Sequence, residues 1–250
     1  MPQTGRTIVT GGTVVLEHGP VEADVLIEGE RIVGLLSDAM KIASENDEII
    51  DANGLLVFPG IVDAHTHFWE PADELLEGFA SGGAGAVAGG VTTVVEMPHS
   101  DPMTILGDEF IEKRQLVQAH AIADMALWGG VVGAPTQSSV DVEAMAAEGA
   151  VAFMSAMASR NRSFPEVNDA QLHDAMRVIA ELGLPYGIHA ENDDLVEAGI
   201  ARMAAEERTD PLAHADSRPP LVETVAVSTV LQLAEATGCW AYITHCASPA

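Results

Sequence analysis

From Ile61 onward, short β-type runs alternate with helix-length stretches, and few folds accommodate that rhythm. Ile61–His67, Val91–Met97, Ala123–Gly129, Ala150–Met154, Leu184–His189 and Trp240–His245 read as strands. Helices are predicted over Phe79–Ala88, Glu109–His120, Val140–Glu148, Asp169–Leu182, Asp194–Glu207 and Val222–Ala236. Asn168 and Gly183 form a plausible cap pair for the fourth of these. Strand–helix alternation of this length predicts an α/β fold with a parallel sheet, since parallel strands need a crossover between them. Three of the runs end on histidine, and no G-x-G-x-x-G follows the first. Both features favour a (β/α)8 TIM-type barrel over an open doubly wound sheet. The Gly/Ala-rich stretch around Gly82, Gly83 and Gly85 lacks a following Lys-Ser/Thr, so tight helix packing is expected rather than a phosphate loop.

Residues 1–57 have a different character. Thr7–Leu16, Ala23–Glu28 and Arg31–Leu36 are short β-type runs broken by Gly, Pro and Asn, with a hairpin turn expected at Glu28-Gly29-Glu30. They predict a small N-terminal β unit, with the barrel occupying residues 58–250 and the boundary near Phe58-Pro59-Gly60. About six βα units are legible, whereas a closed barrel has eight. The run also stops at Ser248-Pro249-Ala250, just beyond a strand-end histidine. The expectation is a barrel cut before its last strands, with exposed edges that would not close as an independent domain.

Composition narrows the function. The chain has 250 residues, 48% of them hydrophobic, which suits a globular protein with a large core. Thirty-eight acidic residues against 11 basic ones give a net charge of −27, which argues against nucleic acid or an anionic membrane as partner. A small-molecule substrate is expected. No apolar run reaches the ~20 residues of a membrane span and Met1–Gly11 carries no signal-type segment, so a cytoplasmic location is expected. Cys239 and Cys246 are too few for a disulfide framework, and Cys246 is expected to be a core thiol.

The histidines carry the chemistry. His65 and His67, two apart on a strand, point to one side and can chelate one ion. His189 and His245 end two further strands, where imidazoles from separate mouths can converge. His99, in MPHSDP, stands at the mouth of the second strand as a substrate contact, an extra ligand or a loop histidine. Glu96 beside it reads as a support for the ligands or as a strand-end charge. Asn192 suits a substrate contact or a helix cap. His18, His120, His173 and His214 fall in polar turns, loops or helices and are expected outside the site.

PGIVDAHTHFWEP (Pro59–Pro71), AGGVTTVVEMPHSDP (Ala88–Pro102), GIHAEN (Gly187–Asn192) and SRPPLVETVAV with ITHCAS (Ser217–Ser248) resemble the amidohydrolase superfamily. The resemblance is to its cyclic amidohydrolase branch of allantoinases, hydantoinases and dihydroorotases. It implies a (β/α)8 barrel with a small β-sandwich, divalent metal at the strand mouths, hydrolysis of a ring amide and a homo-oligomer. By matching position it makes His65, His67, His189 and His245 metal ligands, His245 alternatively acting on water or substrate; at His99 related enzymes often carry Asn. Zn²⁺ suits such a donor set.

Two departures matter. Where the family has a fourth-strand lysine whose carboxylated amine bridges two metals, Gly149–Ser155 reads GAVAFMS and Met154 takes its place. A thioether cannot be carboxylated, so one ion is expected rather than two. Neither Lys41 nor Lys113 is expected near a strand mouth. The family's eighth-strand aspartate is also missing from the sequence. A non-catalytic scaffold and a one-metal deaminase of an amino-substituted ring are the alternatives.

Overall fold

The computed structural model describes residues 5–71, 76–133 and 137–248. The chain divides into two compact units, Met1–Gly60 and Ile61–Ala250.

The N-terminal unit holds two small sheets. One has the order β5-β4-β1-β6, from β1 (Arg6–Thr10), β4 (Asp24–Glu28), β5 (Arg31–Leu36) and β6 (Glu48–Asp51). The other is β3-β2-β7, from β2 (Thr13–Leu16), β3 (Gly19–Glu22) and β7 (Leu56–Val57). The single run foreseen over Thr7–Leu16 is two strands in different sheets, because Gly11 turns the chain with φ 76°. β4 and β5 pair as the expected hairpin, Glu28 opposite Arg31. Ile8, Leu26 and Ala39 form this unit's core.

In the second unit six strands form one parallel sheet in chain order: β8 (Ile61–Thr66), β9 (Val91–Glu96), β10 (Asp124–Gly130), β11 (Ala152–Ala156), β12 (Tyr186–His189) and β13 (Ala241–Ile243). The crossovers are α1 (Gly78–Ala88), α2 (Gly107–His120), α3 (Ser139–Ala147), α4 (Asp169–Leu182) and, between β12 and β13, α5 (Asp193–Ala205), α6 (Leu212–Asp216) and α7 (Pro220–Thr237). The foreseen cap pair brackets α4: Asn168 and Gln171 exchange side-chain-to-backbone hydrogen bonds of 3.0 Å each, and Gly183 sits at φ 69°. Among the described crossover helices, α6, five residues long, is the one the sequence does not suggest, being too short to show a period.

The sheet is strongly curled. A flat sheet would separate its first and sixth strands by about 24 Å at the usual ~4.8 Å spacing. Yet the His65 ring on β8 and the His245 ring just beyond β13 have centres 5.9 Å apart. Among the described residues this is a half-barrel with β8 and β13 as its edges, not a closed ring of eight strands. Pro249 and Ala250, where the sequence suggested an interruption, lie outside the described residues.

Alternating side chains fill two apolar layers. Leu127, Phe153, Tyr186 and Ile188 pack outward with Phe110, Leu172 and Met176 from the helices. Trp128, Ala152 and Met154 pack inward with Met97, Val132 and Phe164. Among the described residues no helix is long and apolar enough to cross a membrane.

The glycine-rich α1 packs tightly against the chain that leaves β8. A Cβ on Gly82 would stand 2.4 Å from Phe68 Cδ1, inside van der Waals contact with a buried ring. Gly82→Ala is expected to lower stability by about 1–3 kcal/mol, as overpacking does. Urea unfolding checks this, and an unchanged midpoint would mean that Phe68 has room to retreat.

Candidate active site at the strand ends

Strand pleating puts His65 and His67 on the same side of β8, and their Nε2 atoms are 3.1 Å apart. Across the mouth, His189 Nδ1 at the end of β12 stands 3.1 Å from His245 Nε2 beyond β13. The four strand-end histidines therefore form two pairs, linked by the 5.9 Å approach of the His65 and His245 rings. No three His, Cys, Asp or Glu side chains among the described residues are gathered about one point as a ready ligand set.

Each pair has a carboxylate behind it. His189 Nε2 lies 3.0 Å from Glu191 Oε2, and Arg218 Nε approaches Glu191 Oε1 at 3.7 Å. The hydrogen bond to His189, with Arg218 nearby, holds the Glu191 carboxyl below its usual range, so it is ionised and accepts. It thus fixes the proton of His189 on Nε2 and leaves Nδ1 as an acceptor facing His245. Glu223, from α7, accepts the N–H groups of Ala247, at 2.9 Å, and Ser248, tying down the segment after His245. Glu191, Glu223 and Arg218 were not singled out in the sequence. The spacing H-x-E in GIHAEN was the available signal for Glu191.

Behind the other pair is Glu96, fully buried at the end of β9. Its neighbour corrects an expectation. Lys113 is 0% exposed, donates to Met97 O at 2.7 Å and stands 3.9 Å from Glu96 Oε1, directly at the mouth of β9. Lys113 and Phe110, three apart, form the buried face of α2, and the long lysine stem reaches under the strand end. Burial pulls the ammonium down to about 8 and pushes the Glu96 carboxyl up.

His99 follows β9, its ring 5.1 Å from that of His67 and 4.8 Å from that of Phe164. Its Nδ1 is buried without a hydrogen-bond partner. Met154 lies on the inward face with Trp128 and Phe164, level with Gly187 on β12, and is 4% exposed. Asn192 Oδ1 accepts the Leu195 N–H at 3.1 Å, the capping role that the sequence offered as its alternative. Cys246 is exposed and Cys239 buried, which reverses the expectation of a core thiol beside His245. The segment past β13 runs along the surface over Glu223 rather than into the core. Among the histidines expected elsewhere, His120 pairs with Glu70.

Burial, and then the proximity of the other rings, holds His67 and His99 down to about 4 and lowers His65 and His245. At neutral pH these imidazoles are uncharged. An unfolded His99 takes up its proton near 6.5, the folded one only near 4, so its contribution to stability is complete above 6.5 and is lost as pH falls toward 4. In metal-free protein the unfolding midpoint is expected to fall more steeply across that window than in His99→Asn. Parallel curves would show that the folded site accepts the proton freely.

Residues 56–248 match the amidohydrolase family. The chain is 37% identical over 243 residues to an allantoinase of Solibacter usitatus, covering 96% of this chain and 52% of that one. It is 39% identical over 239 residues to an allantoinase of Rubrobacter xylanophilus, covering 95% and 51%. Among solved structures it superimposes on the L-hydantoinase (dihydropyrimidinase) of Arthrobacter aurescens with a TM-score of 0.88 at 30% identity, over 95% of this chain and 52% of that one. The chain spans about half the length of the curated relatives it matches. With residues 56–248 matching its model and the strand-end histidines gathered along one curled parallel sheet, the chain belongs to the amidohydrolase family.

Proposed function

We propose that the protein is a divalent-metal-dependent hydrolase that opens a cyclic amide, of the allantoin, hydantoin, dihydropyrimidine, dihydroorotate or cyclic imide type. The observation that carries this reading is the pair of 3.1 Å histidine contacts at one end of the sheet. Two imidazole nitrogens on one tetrahedral Zn²⁺ are separated by about 3.3 Å, given Zn–N bonds of ~2.0–2.1 Å. Burial lowers His65, His67 and His245, so these rings can meet a cation without first giving up a positive charge.

His65 and His67 would be the first donors, with His189 and His245 as the second pair. We favour one firmly held ion, because Met154 supplies no bridging carboxylate to screen a second. Such an ion supplies an acidified water and a polarised carbonyl.

The chain's own groups complete the work. Glu191 keeps His189 in a fixed tautomer and orientation. With Nε2 of His189 protonated, the N–H of the His189–His245 contact belongs to His245 Nε2; where His245 is not a ligand, that N–H can instead donate a hydrogen bond to the attacking water or the scissile carbonyl oxygen. His99, wedged between His67 and Phe164, is proposed to contact the substrate ring, and Asn192 to do so through its amide. The reading carries with it a cytoplasmic homo-oligomer and a small-molecule substrate.

A scaffold has no need of paired, carboxylate-backed imidazoles, which favours the enzyme. Incubating the Zn²⁺-supplemented protein with the five ring classes should open at least one, releasing an acid and no ammonia. Ammonia from an amino-substituted ring would support the deaminase instead, and inertness toward every ring the scaffold.

A further inference from the structure

The first histidine pair stands on a buried carboxylate wrapped by its own strand end. Glu96 Oε2 accepts the Thr66 hydroxyl at 2.9 Å and the Phe68 N–H at 3.0 Å, while Oε1 accepts the same N–H at 2.9 Å and that of Trp69 at 3.3 Å. Thr66 O takes the Met97 N–H at 2.9 Å, and Met97 O takes the Lys113 ammonium at 2.7 Å. Phe68 O takes the Gly78 N–H at 2.8 Å. The residues on both sides of His67 are thus pinned while its ring projects into the mouth.

A neutral side chain would serve a merely structural need at less cost, since burying a charge is expensive unless it is paired. Three donors on one carboxylate, with an ammonium at 3.9 Å, satisfy that condition here. We propose that Glu96 and Lys113 are a positioning couple: Glu96 sets the backbone that aims His67 at His65, and Lys113 keeps Glu96 charged in place. What the aimed pair is for rests on the metal reading above; the aiming itself does not.

The test compares wild type, Glu96→Gln, Lys113→Met and the double variant. Far-UV circular dichroism checks folding, imidazole ¹⁵N shifts are read without metal, and Co²⁺ affinity is measured by titration. In Glu96→Gln the amide nitrogen cannot accept the N–H bonds, so the His67 shift should move while His189 stays, and Co²⁺ affinity should fall about 10–100-fold. The double variant should regain thermal stability over Lys113→Met, which strands a buried carboxylate, yet keep the displaced His67. Folded Glu96→Gln with unaltered His67 shift and Co²⁺ affinity would overturn the proposal. If Glu96→Gln does not fold, Thr66→Val removes one donor and should move the His67 shift in the same direction, and no movement would be equally fatal. A wild type that binds no Co²⁺ sinks the metal reading instead, and the ¹⁵N shifts then decide the positioning alone.

Discussion

Replacing His65 by Ala is expected to remove bound metal and to cut metal-dependent turnover by about 10³-fold or more, a scale at or beyond that of losing a principal electrostatic element of an active site. His65 and His67 stand 3.1 Å apart at the open mouth, and one imidazole alone makes a poor chelate. The fold should survive, because His65 is only partly buried and its ring packs mainly against other site histidines. His189→Ala should act similarly, with an added cost from leaving Glu191 without the hydrogen bond of the imidazole. Elemental analysis alongside turnover separates the roles. Metal retained in full while turnover disappears would show that these rings handle substrate rather than the ion.

Met154→Lys is expected to change the stoichiometry. Met154 faces inward on β11, level with Gly187, two residues before His189 on the neighbouring strand. A lysine there lies in an apolar wall with Met97, Trp128 and Phe164, which disfavours a bare ammonium. Reaction with carbon dioxide would give a carbamate, and an anion between the two histidine pairs would screen two cations ~3.5–4 Å apart. The variant should therefore gain a second metal equivalent that depends on added bicarbonate, while wild type ignores bicarbonate. A variant that folds, takes up bicarbonate and still holds one metal would show that something other than the missing bridge sets the count.

Much of this was legible in the sequence because it depends on period and position. The parallel order β8 to β13, the α4 caps and the convergence of the strand-end histidines all follow from alternation and strand ends. What escaped depends on three-dimensional neighbours. β3 contains Pro20 and reads as a break, yet it pairs as a short edge strand. Lys113 is not expected at a strand mouth from its place in the sequence, and only its spacing from Phe110 hints at the buried face. Arg218 and Glu223 are charges near the start of a helix, and nothing local says that they brace His189 and the segment after His245. Cys246 was misjudged because adjacency to His245 says nothing of the way the chain turns after β13.

The most direct measurement is the divalent-metal content of the purified protein after exhaustive dialysis, beside the His65→Ala and His67→Ala variants. One equivalent in wild type and none in either variant is the expected result. Wild type emerging metal-free after loading with Zn²⁺, or variants that retain the ion, would contradict the assignment of the strand-end histidines as its ligands. Two equivalents surviving in wild type would contradict the single-ion site.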